Sequence, residues 1–155
     1  MAGDCGSCTA CCRVYAIPAF NKPAGKWCDH CDIGKGCKAY DTRPKHECAD
    51  FQCLWLEMKS SGNNPADDLR PDRCKVVFSP TPRKGLISAT TMPGHRDAFR
   101  KGAARRLIDG LIGSGMQVIV GPSLSTTKIM IDQFGERDIE MTEPDENGIQ
   151  RSVPS

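Results

Sequence analysis

Cysteine is missing from the second half of this chain, since all ten cysteines of the 155 residues lie between Cys5 and Cys74. The first half lacks aliphatic side chains instead: residues 1–74 hold six Val, Ile or Leu, and residues 75–155 hold seventeen. A short segment so poor in aliphatics cannot offset its conformational entropy by burial alone. It needs another source of stability, and bound metal is the one that its residues can provide.

Long apolar runs are also missing, which excludes a membrane-spanning helix. The start of the chain, Met1-Ala2-Gly3-Asp4-Cys5, lacks the basic and apolar segments of a secretory signal, so we expect a cytoplasmic protein with no membrane partner. In the cytosol thiols stay reduced, and dense Cys-x-x-Cys patterns then indicate metal or redox chemistry. In a mature secreted chain the same even count would indicate five disulfides, which is the alternative interpretation.

Recognisable catalytic signals are few. The chain has three histidines, His30, His46 and His95, and no Gly-x-x-x-x-Gly-Lys phosphate loop. A Cys–His nucleophile pair would need one cysteine to be distinguished from the other nine, and no position does so. The sequence therefore identifies no catalytic residue and leaves open whether the protein is an enzyme.

Nucleic acid is not an expected partner. A predicted helix carries a basic stripe that could contact phosphates, formed by Arg96, Arg100, Lys101, Arg105 and Arg106. Charge is expected on the solvent face of any amphipathic helix, however, and this stripe lacks the interleaved aromatics of single-strand binding. Metal ions are the predicted partners, and no protein partner is identified.

The second half has regular periodic signals. Strands are predicted over residues 75–79, 86–91, 117–120 and 126–131, with a helix over residues 95–113 between the second and third. The helix presents one apolar face, formed by Phe99, Ala103, Leu107, Ile108, Leu111 and Ile112. This order predicts a small sheet covered on one face by a helix.

The predicted fold class is α+β with three regions. Residues 1–74 form an irregular cysteine-rich, metal-binding lobe with short helices, one of them over roughly residues 49–60. Residues 75–135 form the ββαββ lobe. Residues 136–155 carry six acids and two bases and are predicted to be a disordered acidic tail.

The cysteine spacing predicts thiolate-bound metal. All ten cysteines are candidate ligands: Cys5, Cys8, Cys11, Cys12, Cys28, Cys31, Cys37, Cys48, Cys53 and Cys74. A Cys-x-x-Cys turn lets two sulfurs approach one ion, and several such turns in one short segment are a specific signal. His30 and His46 lie beside cysteines, but the cysteines already exceed the need of one site.

The adjacent pair Cys11-Cys12 indicates more than one metal, or a multinuclear cluster. At about 100° per residue in a helix, Cys5, Cys8 and Cys12 would share a face while Cys11 projects about 100° away from Cys12. Four thiolates suit zinc, and iron–sulfur clusters accept the same ligands. The spacing is not that of the bacterial ferredoxin run, and it does not choose between the metals.

The run Cys5-x-x-Cys8-x-x-Cys11-Cys12 resembles the signature of the YkgJ-like cysteine-cluster family, which is named for chelation of zinc or iron. So does the stretch from Gly36-Cys37 through Tyr40-Asp41-Thr42-Arg43-Pro44 to Cys48 and Phe51-Gln52-Cys53. The resemblance covers roughly residues 5–56 and implies that eight cysteines occupy the family's cluster positions: Cys5, Cys8, Cys11, Cys12, Cys28, Cys37, Cys48 and Cys53. Cys31 and Cys74 are additional to that pattern.

What the resemblance implies about function is limited to metal. Flagellin lysine methylases carry a similar cluster, but nothing in residues 75–155 matches an enzymatic activity. We therefore predict a protein that chelates zinc or iron through cysteine thiolates in a structural or metal-handling role. The alternative is a redox or catalytic protein with an iron–sulfur or polynuclear iron centre.

Overall fold

In the computed structural model the chain has a mixed α/β fold, and the structure describes residues 7–143, 145–147 and 150–154, the side chains of His46 and Glu47 excepted. The first third of the chain is built from short elements. They are helix α1 (Cys11–Val14), a hairpin of strands β1 (Cys31–Asp32) and β2 (Gly36–Cys37), and a π-helical turn over Lys45–Ala49.

Two further helices connect this region to the sheet. Helix α2 spans Leu54–Ser60 and helix α3 spans Pro71–Cys74. The sequence predicted a helix over residues 49–60, but Cys53 has extended backbone angles and precedes the first helical turn. The helix therefore begins five residues later than predicted.

The sheet has six strands in the described part of the chain, in the order in which they occur in the sequence: β3 (Val76–Pro80), β4 (Leu86–Thr91), β5 (Gln117–Pro122), β6 (Thr127–Asp132), β7 (Gly135–Met141) and β8 (Ser152–Pro154). Strands β4 and β5 are parallel, and the other neighbouring strands are antiparallel. The parallel pair needs a crossover, which helix α4 (Gly102–Gly113) provides. The four predicted strands and the helix between them are confirmed.

Helix α4 starts later than the predicted helix. Residues Ala98–Arg100 form a separate 3-10 turn, Lys101 is extended, and Gly102 has φ +63°. A positive φ is readily adopted by glycine, so Gly102 allows the chain to turn sharply into the α-helix. Phe99 is 1% exposed and still reaches the core from the 3-10 turn, in agreement with its predicted place on the apolar face.

The prediction of a disordered acidic tail over residues 136–155 is wrong at two places, because residues 136–141 form most of β7 and Ser152–Pro154 form β8. Glu136, Arg137 and Asp138 are exposed, whereas Ile139 is 5% exposed, and β7 pairs with β6 through six residue pairs. The turn between the strands is stabilised by the amide of Phe134, which donates to Asp132 Oδ1 at 2.9 Å, and by a 2.8 Å ion pair between Arg137 and Asp132. A strand with one solvent-exposed polar face resembles a solvated tail in sequence alone.

The main core lies between the sheet and its helices. Val76, Phe78, Val118 and Val120 from the strands pack with Phe99 and Ile108, and Trp55, Leu56 and Leu69 from the first half join the same cluster. A second, smaller cluster joins Val77 and Met92 to Ala10 and Val14 near α1. Both clusters therefore attach cysteine-bearing segments to the sheet. No helix in the described residues is both long and apolar enough to cross a membrane.

Candidate metal centre

A cavity of about 340 Å³ lies between α1, the β1–β2 hairpin and the start of α2. Six of the described cysteines line it: Cys8, Cys11, Cys12, Cys37, Cys48 and Cys53. Its other walls are largely aromatic and aliphatic, with Tyr15, Tyr40, Phe51 and Trp55 among them. The fold thus gathers thiols separated by up to 45 residues of sequence around one space.

Helix α1 places two of these cysteines side by side. Cys11 and Cys12 are its first residues, and their thiols lie close enough to interact. Interaction with the Cys11 thiol, and then burial, raises the pKa of Cys12 far above its usual range. The neutral thiol is therefore the stable form of Cys12 while no metal ion is bound.

Cys28 and Cys31 extend the group on the side of Cys12. The amide of Cys28 donates to the carbonyl oxygen of Cys12 at 3.1 Å, and the amide of Cys31 donates to the carbonyl oxygen of Cys28 at 3.0 Å. Burial and then repulsion from Cys12 raise the pKa of Cys31 to about 12. The Cys28-x-x-Cys31 turn is thus tied to the helix that carries Cys11 and Cys12.

Cys8 and Cys53 also line the cavity. Burial is the main cause that raises the pKa of both thiols, and the charge of Cys53 adds to the rise at Cys8. Backbone amides oppose these shifts: those of Ala10 and Asp72 at Cys8, and those of Leu56 and Trp55 at Cys53. Amide groups that favour a thiolate are a common feature around bound thiolate sulfurs.

Lys22 is a buried cation beside this cluster, with only 6% of its surface exposed. Its ammonium group donates to the carbonyl oxygen of Arg13 at 2.9 Å and to that of Tyr15. The charges of Cys28, Cys12, Cys11 and Cys48 all act on it, although burial is the larger influence and lowers the pKa of Lys22. Sequence reasoning missed this residue because a single lysine in a loop carries no recognisable pattern.

Cys74 lies apart from the cavity. Its thiol donates to the carbonyl oxygens of Leu69 and Val76, at 3.3 Å each, and it packs against the main core. Burial raises its pKa, as expected for a thiol in an apolar environment. This arrangement is that of a structural thiol, so the structure does not bring Cys74 to the other cysteines.

The remaining residues named from sequence lie outside the described part of the chain or at its surface. Cys5 lies outside the described residues, and so does the side chain of His46. His30 is exposed and its ring contacts that of Phe20 at a tilt of 49°, with 4.3 Å between centroids, and His95 is exposed as well.

The nine described cysteines are thiols rather than disulfides. In this part of the chain no three His, Cys, Asp or Glu side chains converge closely enough to hold a metal ion.

The basic stripe predicted on the helix is largely balanced by acids. Arg100 and Arg105 both contact Glu136, at 3.2 Å and 2.8 Å, and Arg106 contacts Asp68 at 2.8 Å. Arg105 and Arg106 join α4 to β7 and to the segment before α3, and Arg100 joins the preceding 3-10 turn to β7. Their charge is used within the fold, which leaves less of it for phosphate.

Comparison of the chain with protein-family models, curated proteins and solved structures gives no match.

Proposed function

We propose that this protein binds zinc or iron through the cysteines around the cavity, with Cys28 and Cys31 alongside, in a structural or metal-handling role. The observation that carries the proposal is that six described cysteines line one cavity. The resemblance of roughly residues 5–56 to the YkgJ-like cysteine-cluster family also supports metal binding. The proposal includes a cytoplasmic location, because a reducing compartment keeps thiols available to metal.

The electrostatics supports this proposal. Thiols that are buried beside each other hold their protons while no metal ion is bound, as the raised pKa values of Cys8, Cys12, Cys31 and Cys53 indicate. A divalent cation reverses that preference because it coordinates the thiolate and displaces the proton. Zinc would draw the sulfurs together to about 2.3 Å from the ion, which is closer than they converge in the described part of the chain.

The proposal includes a metal-stabilised cysteine-rich lobe. Residues 7–53 bury few aliphatic side chains of their own, among them Val14 and Ile17. Bound metal would supply the missing free energy, since binding and folding share one free energy when the site does not exist in the unfolded chain. Helix α2 and the chain after it pack into the main core and would not depend on metal.

A second candidate is an iron–sulfur or polynuclear iron centre with a redox or catalytic role. The size of the cavity favours it, because about 340 Å³ lies within the range of small-molecule sites. Arg43 also lines the cavity, with its guanidinium 3.8 Å from the ring centroid of Tyr40. A cation at the wall would offset the charge of a multi-thiolate cluster.

Metal content and visible absorbance, measured on protein purified without oxygen, test both candidates. About two zinc ions per chain and no visible band are expected for a closed structural site, whereas iron with acid-labile sulfide and a brown colour would favour the second candidate. Cys53→Ser should lower the metal content, and Cys74→Ala, which removes a thiol away from the cavity, should not. Metal-free protein with full thiol reactivity would contradict both candidates.

A further inference from the structure

The β1–β2 hairpin places Cys31 directly opposite Cys37. The amide of Lys38 donates to the carbonyl oxygen of His30 at 2.7 Å, so residues 30 and 38 form a hydrogen-bonded pair. Hydrogen-bonded and non-hydrogen-bonded pairs alternate along an antiparallel ladder. Cys31 and Cys37, the next pair along, are therefore a non-hydrogen-bonded pair. Such pairs have Cα atoms about 4.5 Å apart, which lies within the range that a disulfide spans.

The two side chains project from the same face of the hairpin, as directly opposite residues do. That face is turned towards α1: the thiol of Cys31 interacts with Cys12 and Thr9, and Cys37 lines the cavity. Thr9 Oγ1 also accepts a 3.1 Å hydrogen bond from the amide of Gly34, which fixes the turn of the hairpin. Both cysteines are partly exposed, so a small oxidant can reach them.

We propose that Cys31 and Cys37 are a redox pair that forms a cross-strand disulfide on oxidation and thereby leaves the metal centre. The two thiols give two electrons and two protons to one molecule of hydrogen peroxide, which yields one S–S bond and two molecules of water. Loss of Cys37 from the cavity and of Cys31 from beside Cys12 weakens metal binding. The proposed disulfide depends only on the geometry of the hairpin. The proposed release of metal depends also on the proposed metal-binding function.

Mapping of disulfides in the unaltered full chain tests the pairing. The protein as purified is treated with one equivalent of hydrogen peroxide, alkylated, and digested with trypsin and a protease that cleaves before aspartate. Cys31 is then released in residues 29–31, Cys37 in residues 36–38 and Cys28 in residues 27–28. We expect the Cys31–Cys37 species to exceed any other pairing at least tenfold, and a dominant Cys28–Cys31 or Cys12–Cys31 species would overturn the proposal.

Release of metal is measured separately with a chromogenic chelator, on wild type, Cys37→Ser and Cys74→Ala. Peroxide should release metal from wild type and Cys74→Ala in step with formation of the disulfide, and at least fivefold more slowly from Cys37→Ser. Disulfide formation without release would overturn the regulatory part of the proposal. A wild-type protein without zinc or iron would refute the proposed function and this part together, whereas the disulfide mapping would still decide the pairing.

Discussion

The backbone amide of Cys28 donates a hydrogen bond to the carbonyl oxygen of Cys12 at 3.1 Å. This bond joins two cysteine motifs that are separated in sequence by fifteen residues. Between them lies Lys22, which is buried and donates to carbonyl oxygens in the last turn of α1 and just beyond it. Hydrogen bonds to the backbone therefore hold the cysteines of this region in place without a metal ion.

Lys22→Met is expected to destabilise the protein by about 1–3 kcal/mol, because it leaves buried carbonyl oxygens without a donor. It also frees the end of α1, so the affinity for metal should fall with the stability. Denaturant unfolding and a competition titration with a chromogenic chelator measure the two effects. The exposed Lys26→Met is the matched control, and equal behaviour of the two variants would show that Lys22 does not fix α1.

The pKa shifts predict how stability depends on pH in the metal-free protein. The pKa of Cys31 is raised to about 12 in the folded protein, above the value near 8.5 expected for an unfolded chain. The stability that a neutral Cys31 contributes is therefore present below about pH 8.5 and is lost as the pH rises towards 12. Urea unfolding of the chelated protein at pH 7.5 and pH 10 should show this loss, and Cys31→Ala should reduce it.

Metal binding should have the opposite pH dependence. Thiols must lose their protons when they become ligands, so affinity for zinc is expected to rise between pH 6 and pH 8, with release of protons that calorimetry in two buffers can count. An affinity that does not change over this range would mean that the ligands are not protonated thiols. Cys74→Ala, which alters no cavity residue, should preserve the slope.

The second half of the fold was largely predictable from sequence because its periodic patterns are local. Strands β3 to β6 and helix α4 follow from alternating or helical spacing of apolar residues. Strand β7 was missed because its exposed face is charged, and only pairing with β6 makes it a strand. Composition alone could not separate that case from a solvated tail.

The site was predictable in part. The spacing of the cysteines identified thiols that the fold gathers around one cavity, but it also predicted Cys74 as a ligand, which only the family resemblance set apart. The role of Cys74 depends on carbonyl oxygens of Leu69 and Val76, which no side-chain pattern reveals. Lys22 and the opposition of Cys31 and Cys37 depend on backbone geometry in the same way.

Glu136 of β7 accepts hydrogen bonds from Arg105 in α4 and from Arg100 in the 3-10 turn before it. These hydrogen bonds, that from Arg105 first, lower the pKa of Glu136. Glu136→Gln should destabilise the fold by about 1 kcal/mol at pH 7, near the upper end for exposed ion pairs. The difference from wild type should shrink as the pH falls below the unfolded pKa of about 4.3, and also in high salt. Thermal unfolding measures this difference in stability, and the exposed Glu57→Gln is the control. If Glu136→Gln still destabilised the protein at pH 2.5, the lost stability would come from packing and not from the ion pairs.

Removal of metal should loosen the cysteine-rich part of the chain and leave the sheet intact. Residues 8–50 hold few buried aliphatics, whereas Trp55, Leu56 and Leu69 pack with the strands and with Ile108. After chelation, hydrogen exchange should increase at least tenfold for the amides of Cys28, Cys31 and Lys38 and change little in β4 and β5. Ile108→Ala, expected to cost about 2–5 kcal/mol, should instead increase exchange throughout the sheet. If chelation raised exchange in β4 and β5 as much as in the hairpin, metal and sheet would form one cooperative unit, and the separate metal-stabilised lobe would be wrong.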